Sequence, residues 1–455
     1  VTANTERVDY DHKILVDALY NEDITTFRDI FLKLHPYDQT KFFLKLEKDA
    51  RMHLYKFLSP EEMASIFENI EENEDNFKQY LEEMNPTFAA QMFENMYVDD
   101  AVDVLNELSQ DQLASYLTIM NKESAEEIRE LLHYEKFTAG SIMTTEYIAI
   151  HANQTVRSAM QILKSKAPDA ETIYYVYVID EEKRLVGVIS LRDLIIHDDE
   201  SMIADIMNER VFSVKVSDDQ EEVARKMKDY DFLALPVVDY QNRLLGIITV
   251  DDIIDVLDEE ASDDYSKLAA VSDVDSHDPN PISAAKKRLP WLIILLFLGM
   301  LTASLIGQFE DTLNKVAILA VFIPLIAGMA GNTGTQALAV AVRRIATGDL
   351  EKDKIGKVLL KEAGTGLIIG LVCGIFVTLI VFLWQKELFL GLLVGISILS
   401  TLTVSTIAGA FVPLIMHRLN IDPAVASGPF ITTINDMISI LIYFGMATLF
   451  MNYLL

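Results

Sequence analysis

One charged residue, Asp436, stands in the run from Pro423 to Leu455, inside the stretch ITTINDMISILIYF (431–444). A carboxylate at membrane depth costs roughly 2.5–3.5 kcal/mol on insertion scales, so a span that keeps one has a use for it. Two uses fit a lone acid: attraction of a cation, or carriage of a proton. Packing against a neighbouring hydroxyl such as Thr432 or Thr433 is the plain alternative. Upstream, GNTGTQ (331–336) supplies what an ion path between helices needs. Gly328, Gly331 and Gly334 allow close backbone approach, and Asn332, Thr333, Thr335 and Gln336 offer uncharged oxygens. Pro324 loosens the helix just before them. With Thr432 and Asn435, the residues Gly328, Gly331, Asn332, Thr333 and Gln336 form the candidate pore lining.

A hydroxyl followed three positions later by an aspartate occurs twice, as Ser190-Leu-Arg-Asp193 and Thr249-Val-Asp-Asp252. A hydroxyl at a helix start can hold phosphate, and a carboxylate can accept both ribose hydroxyls. Arg192 adds a cation beside the first pair, whereas Asp251 adds an anion beside the second, so the first is the better nucleotide candidate. Tyr175 and Phe232 complete that set. Helix capping by Ser190 and Thr249 explains the same spacing. A zinc protease is excluded: histidines stand at 12, 35, 53, 133, 151, 197, 277 and 417, and none forms HExxH.

The elements that must carry these residues differ sharply in composition. Five uncharged runs, Leu289–Gln308, Val316–Val342, Ala363–Gln385, Leu388–His417 and Pro423–Leu455 (broken only by Asp436), reach the ~20 residues needed to span a bilayer. The opening residues lack the basic and apolar pattern of a signal peptide, so none is expected. Lys286, Lys287 and Arg288 precede the first run. Arg343, Arg344, Lys352, Lys354, Lys357 and Lys361 follow the second, and Arg418 follows the fourth. Positive-inside counting then places the amino terminus in the cytosol and the carboxyl terminus outside. In the third run Gly366, Gly370 and Gly374 recur every fourth position, which favours a tight helix crossing. The one cysteine, Cys373, rules out internal disulfides.

The chain's net charge of −31 is concentrated upstream, where residues 1–283 hold 60 acidic and 26 basic side chains. That excess excludes nucleic acid as a partner. It leaves either a solvated acidic surface or a domain whose acids need cations to pack closely. Residues 24–134 show helical spacing in short related units, SPEEMASIFENI (59–70), VDDAVDVLNEL (98–108) and SQDQLASYLTIM (109–120). Ser59 with Glu62 and Ser109 with Gln112 fit capping boxes. Residues 137–257 are duplicated: 139–165 is echoed by 203–229, and 175–195 by 234–254. Each half predicts a strand, a helix, two strands joined by a polar turn and a second helix. This resembles a tandem pair of CBS domains, packed about a pseudo-twofold axis, and the resemblance implies an adenine-nucleotide site between the halves, at Ser190, Arg192 and Asp193 in the first instance.

FIPLIAGMAGNTGTQALAVAVRR (322–344) and DPAVASGPFITTINDMISILIYF (422–444) resemble the second and fifth spans of the MgtE family of magnesium channels, and the order of parts matches too. The expected fold is a multidomain membrane protein: an all-α superhelical amino-terminal domain (1–135), an α/β CBS-domain pair (136–200 and 201–258), a connecting helix and linker (259–288), and a five-helix transmembrane domain (289–455). The resemblance implies a homodimer in membrane lipid with a shared pore, Mg²⁺ as permeant and regulatory ion, and closure by Mg²⁺ between cytosolic domains; ATP is the expected nucleotide. Twofold symmetry would bring two Asp436 carboxylates to one axis. Touching a largely hydrated Mg²⁺, they would attract it without trapping it. The regulatory acids implied are Asp99 and Asp103, then Asp219, Glu221 and Asp231, then Asp252, Asp255, Glu260, Asp263 and Asp264. A coupled carrier of Mg²⁺ or Co²⁺ is the competing reading.

Overall fold

Caps punctuate the amino-terminal helices. The computed structural model describes residues 13–70, 77–271, 281–347, 355–419 and 421–453. Ten short helices come first: α1 (13–20), α2 (Ile24–Phe31), α3 (Pro36–Leu44), α4 (Lys48–Phe57), α5 (Pro60–Phe67), α6 (Phe77–Glu83), α7 (Pro86–Phe93), α8 (Val98–Asn106), α9 (Gln110–Ile119) and α10 (Lys122–Leu131). His35, Ser59 and Asn85 each cap a helix whose first residue is proline, where the missing N–H is no loss. The expected capping boxes at Ser59–Glu62 and Ser109–Gln112 both form. Alternate helices stack, α3 on α5, α5 on α7 and α7 on α9, and their aromatic and methionine faces make one core with Phe27, Phe43, Met63, Phe67 and Phe93 at its centre.

The duplication folds as read. The first half is β1 (Ala149–His151), α11 (Val156–Lys166), β2 (Tyr175–Ile179), β3 (Leu185–Ser190) and α12 (Leu191–Ile196). After the short α13 (Ile203–Ile206), the second is β4 (Val214–Lys215), α14 (Gln220–Tyr230), β5 (Ala234–Val238), β6 (Leu244–Thr249) and α15 (Val250–Ala269). Each three-stranded sheet pairs its first strand parallel and its last antiparallel to the middle one. The hairpin turns are copies: Asp180 Oδ1 accepts from the Glu182 and Arg184 amides, and Asp239 Oδ1 from those of Gln241 and Arg243. The halves exchange lead-in segments, Thr144 bonding to Ile247 of β6 and Asn208 to Val188 of β3. Gly187 and Gly246 are therefore glycines for one reason. A Cβ there would lie 2.5 Å from Met207 Sδ and from Thr144 O, respectively.

The chain divides into two compact units, Val1–Asp258 and Glu259–Leu455. In the second, α16 (Pro281–Gly307), α18 (Ile323–Ala346, entered through a 3₁₀ turn over Ala317–Phe322), α19 (Ile355–Gln385), α20 (Leu388–Arg418) and α21 (Gly428–Leu449) are long and apolar enough to cross a membrane. The short α17 (Glu310–Lys315) joins the first two. Gly366, Gly370 and Gly374 of α19 pack on the α20 backbone at Thr403, Leu399 and Gly395. One expectation needs correction: Pro324 does not loosen a helix already under way; it stands in the first turn of α18. The uncharged run Pro423–Leu455 is not one helix. Asp422 caps a 3₁₀ turn (Pro423–Val425), and α21 begins only at Gly428. Asp436 therefore lies eight residues into its helix, on the order of 12 Å.

Candidate functional site

Asp436 is half-buried on α21. The hydroxyls that could have tied it down are spent on their own helix, Thr432 donating to Gly428 O and Thr433 to Pro429 O. Among the described residues no hydrogen bond or ion pair reaches its carboxylate. Against α21 lies α18, and the residues proposed to line the pore divide by helical face. Gly328, Asn332 and Gln336, four apart, form an exposed polar stripe on an otherwise apolar helix. Gly331 and Thr333 face inward. A Cβ on Gly331 would meet Thr432 Cγ2 at 2.7 Å, so this glycine lets α21 approach. Asn435 is fully buried over Gly334. The sequence could not separate the two faces because GNTGTQ covers more than one full turn.

At the start of this unit, Lys267 of α15 pairs with Asp263 on its own helix and with Asp422 at the entry to the last span. Burial and Asp422 push the neighbouring Asp264 carboxyl up to about 6.

The first unit gathers carboxylates where the helical stack meets the duplicated domain. Asp99 and Asp100 open α8, and Asp252 opens α15. Glu68 ends α5, accepting the Tyr97 amide, and Glu146 and Glu171 lie in the irregular segments before β1 and β2. Burial and the neighbouring acids raise Asp99 well above the carboxylate range, Asp100 to about 9 and Glu171 to about 8. Burial raises Asp252 to about 6, with Asp251 and Asp255 adding to it and the Thr249 hydroxyl opposing it. Asp103 acts on Asp100. Asp99 Oδ1 and Glu171 Oε2 are buried without a hydrogen-bond partner. This donor set suits a hard cation. Among the described residues no three His, Cys, Asp or Glu side chains are arranged to hold a bare metal ion.

Of the acids named from sequence, Asp99, Asp103, Asp252 and Asp255 share this cluster. Asp219 and Asp231 instead cap the two ends of α14, Asp219 accepting the Glu221 and Glu222 amides and Asp231 closing the helix in a left-handed conformation. Glu260, Asp263 and Asp264 lie on the part of α15 that belongs to the second unit. Sequence reasoning missed Glu68, Glu146 and Glu171, and reads Asp100 only as part of a solvated helix face. Asp100 was legible beside Asp99 in VDDAVDV. Glu146 and Glu171 lie outside regular elements and carry no periodic signal.

Ser190 and Asp193 form a capping box at the start of α12, so the capping explanation is realised. Ser190, though not Asp193, also lines a cavity of ≈ 510 Å³, with Tyr174, Tyr175, Arg192, Ile195 and Leu233 among the other lining residues. Arg192 is exposed at its edge. Phe232 stacks on Tyr230 at 5.5 Å, next to the lining residue Leu233. In the second half the Thr249 amide and hydroxyl likewise donate to Asp252 Oδ2.

The MgtE profile, of divalent cation transporters, matches residues 323–446. The MgtE intracellular N domain matches 34–136, and the CBS domain matches 139–199 and 203–259. The chain is 55% identical to the magnesium transporter MgtE of Enterococcus faecalis over 97% of each chain. It is 40% identical to that of Bacillus subtilis over 99% of this chain and 100% of the relative. Among solved structures, the soluble part of a magnesium transporter is 57% identical with a TM-score of 0.55, covering 56% of this chain and 99% of that one. The cytosolic domain of the Mg²⁺ channel MgtE in complex with ATP is 37% identical with a TM-score of 0.51, covering 54% and 99%.

Proposed function

The chain belongs to the MgtE family of magnesium transporters, and from that premise we propose that it conducts Mg²⁺ across the cytoplasmic membrane as a homodimer whose shared pore closes when internal Mg²⁺ rises. One observation carries the reading: a carboxylate at membrane depth with no bond to any described residue, next to a helix with an exposed polar stripe. A polar stripe facing lipid is unfavourable, and a second copy related by a twofold axis would cover it and present two Asp436 side chains to one path. Ions held through their waters by two carboxylates can leave again. The basic loops support a cytosolic amino-terminal unit, where its carboxylate cluster would sense the ion. Mg²⁺ fits there because it supplies the charge that Asp99, Asp100, Glu171 and Asp252 lack. ATP is the proposed ligand of the cavity beside Ser190, with Arg192 on its phosphates, as a modulator of the ion response. The test of the conduction reading is Mg²⁺ uptake into proteoliposomes containing the Asp436→Ala protein. We expect flux to fall to background while the protein elutes as wild type from a sizing column. Wild-type flux in the variant would remove Asp436 from the ion path.

A further inference from the structure

The interior of the membrane domain holds polar groups that no described neighbour satisfies. Asn435 of α21 is fully buried, and among the described residues neither its Nδ2 nor its Oδ1 has a hydrogen-bond partner. Thr401 Oγ1 and Ser405 Oγ of α20 are likewise fully buried and unpartnered. They are exceptions on their own helix, since Thr403 and Thr406 donate to Leu399 O and Leu402 O one turn back. None of these atoms is accessible from outside the chain, so neither lipid nor a second copy can reach them.

The helices bring these groups together. Ser397 Oγ lies 3.5 Å from Met446 Sδ, which sets the register of α20 against α21, its antiparallel neighbour. Two turns further along, Ser405 falls within about one helical turn of Asn435, with Thr401 one turn beyond it. The place for the amide is built in. Gly334 of α18 packs against Asn435, and a Cβ there would stand 1.8 Å from Nδ2. From the other side Gly409 of α20 closes on Gly334 O.

We propose that a short file of bound water lies between α20 and α21, bridging the Asn435 amide to the hydroxyls of Ser405 and Thr401. The donor and acceptor inventory selects water over a cation. The amide presents two N–H donors, which no metal ion can accept, together with an acceptor oxygen, and the hydroxyls serve in either sense. A guest that both donates and accepts is required, and buried water in proteins does this with about three bonds each. Asn435 is thereby a positioning residue. Adjacent helical residues point about 100° apart, so anchoring Asn435 inward holds Asp436 on the half-exposed face. The site is defined without reference to what the protein transports.

The test is a cryo-electron-microscopy map of the full chain in lipid nanodiscs, at a resolution that shows ordered water. We expect density within hydrogen-bond distance of the Asn435 amide and the Ser405 hydroxyl, absent from the Thr401→Val/Ser405→Ala variant. Direct bonding of amide to hydroxyl with nothing between overturns the proposal. So does density that survives in the double variant, or that strengthens when Tl⁺ replaces Na⁺. Should the variant fail to fold, radiolytic footprinting of the wild type decides. Bound water labels the buried Leu402 and Ile431 beside the site, and their protection from hydroxyl radicals overturns the proposal.

Discussion

Ser190 and Asp193 show how one pair of side chains supports two readings, because both are engaged in a cap that any helix start could use. Arg192 separates them. It takes no part in the capping box and stands at the cavity edge, so its removal leaves the α12 cap intact. A charge-assisted hydrogen bond contributes about 1.5–3 kcal/mol. Arg192→Ala should therefore weaken ATP binding by roughly 10- to 100-fold in calorimetry, with no change in thermal stability. An unaltered affinity would leave Ser190 and Asp193 as a cap alone. The S-x-x-D spacing was visible in the sequence, but the cavity beside it was not. It is assembled from Tyr174 and Leu233, which lie at corresponding positions of the two halves and meet only when the halves pack.

At the scale of elements, the small-residue spacing in α19 was the most legible feature of the membrane domain, and it does what its period implies. A Cβ on Gly370 would stand 2.8 Å from Leu399 O and 2.9 Å from its Cα, and backbone cannot move aside as a side chain can. Gly370→Val should therefore force α19 and α20 apart, lowering the melting temperature in detergent by several degrees and the yield of folded protein. Gly364→Val, where a Cβ would meet nothing within 4 Å, is the control and should behave as wild type. Equal effects of the two would mean that α19 senses only its own helical propensity. The breaks were less legible than the runs. Hydropathy is continuous through Val316–Val342, yet the backbone is 3₁₀ until Ile323, because Pro324 lacks an N–H to donate and is best placed in a first turn. The start of α21 at Gly428 follows the same logic, with Pro429 in its first turn.

At the scale of the whole molecule, the charge excess of the amino-terminal unit becomes a statement about energy. Asp100, Glu171 and Asp252 hold protons more tightly in the folded chain, at about 9, 8 and 6, than an unfolded carboxyl near 4 does. Between those limits the folded state binds more protons than the unfolded one, so stability must fall as pH rises. In divalent-free buffer the melting temperature should drop steadily from pH 6 to pH 9, and millimolar Mg²⁺ should flatten that slope by neutralising the same carboxylates. A slope that Mg²⁺ leaves unchanged would mean that the cluster binds protons but not the metal. The same energy is the proposed source of gating. A switch from 1:99 to 99:1 needs about 5.5 kcal/mol of differential binding, more than one weakly held ion supplies. Several sites coupled at about 1–3 kcal/mol each would suffice. Asp252→Asn with Asp255→Asn tests this without dismantling α15, since an amide oxygen at 252 can still accept the Thr249 N–H and hydroxyl. Open probability measured against internal Mg²⁺ should then require several-fold more Mg²⁺ for closure, and the channel should remain open where wild type is shut. Coincident curves would leave the cluster a proton-binding feature of the fold and put the sensor elsewhere. The graded outcome follows from the distribution of charge: Asp99, Asp100, Glu146 and Glu171 remain to hold ions when two of their neighbours are neutralised, so the response shifts before it is lost.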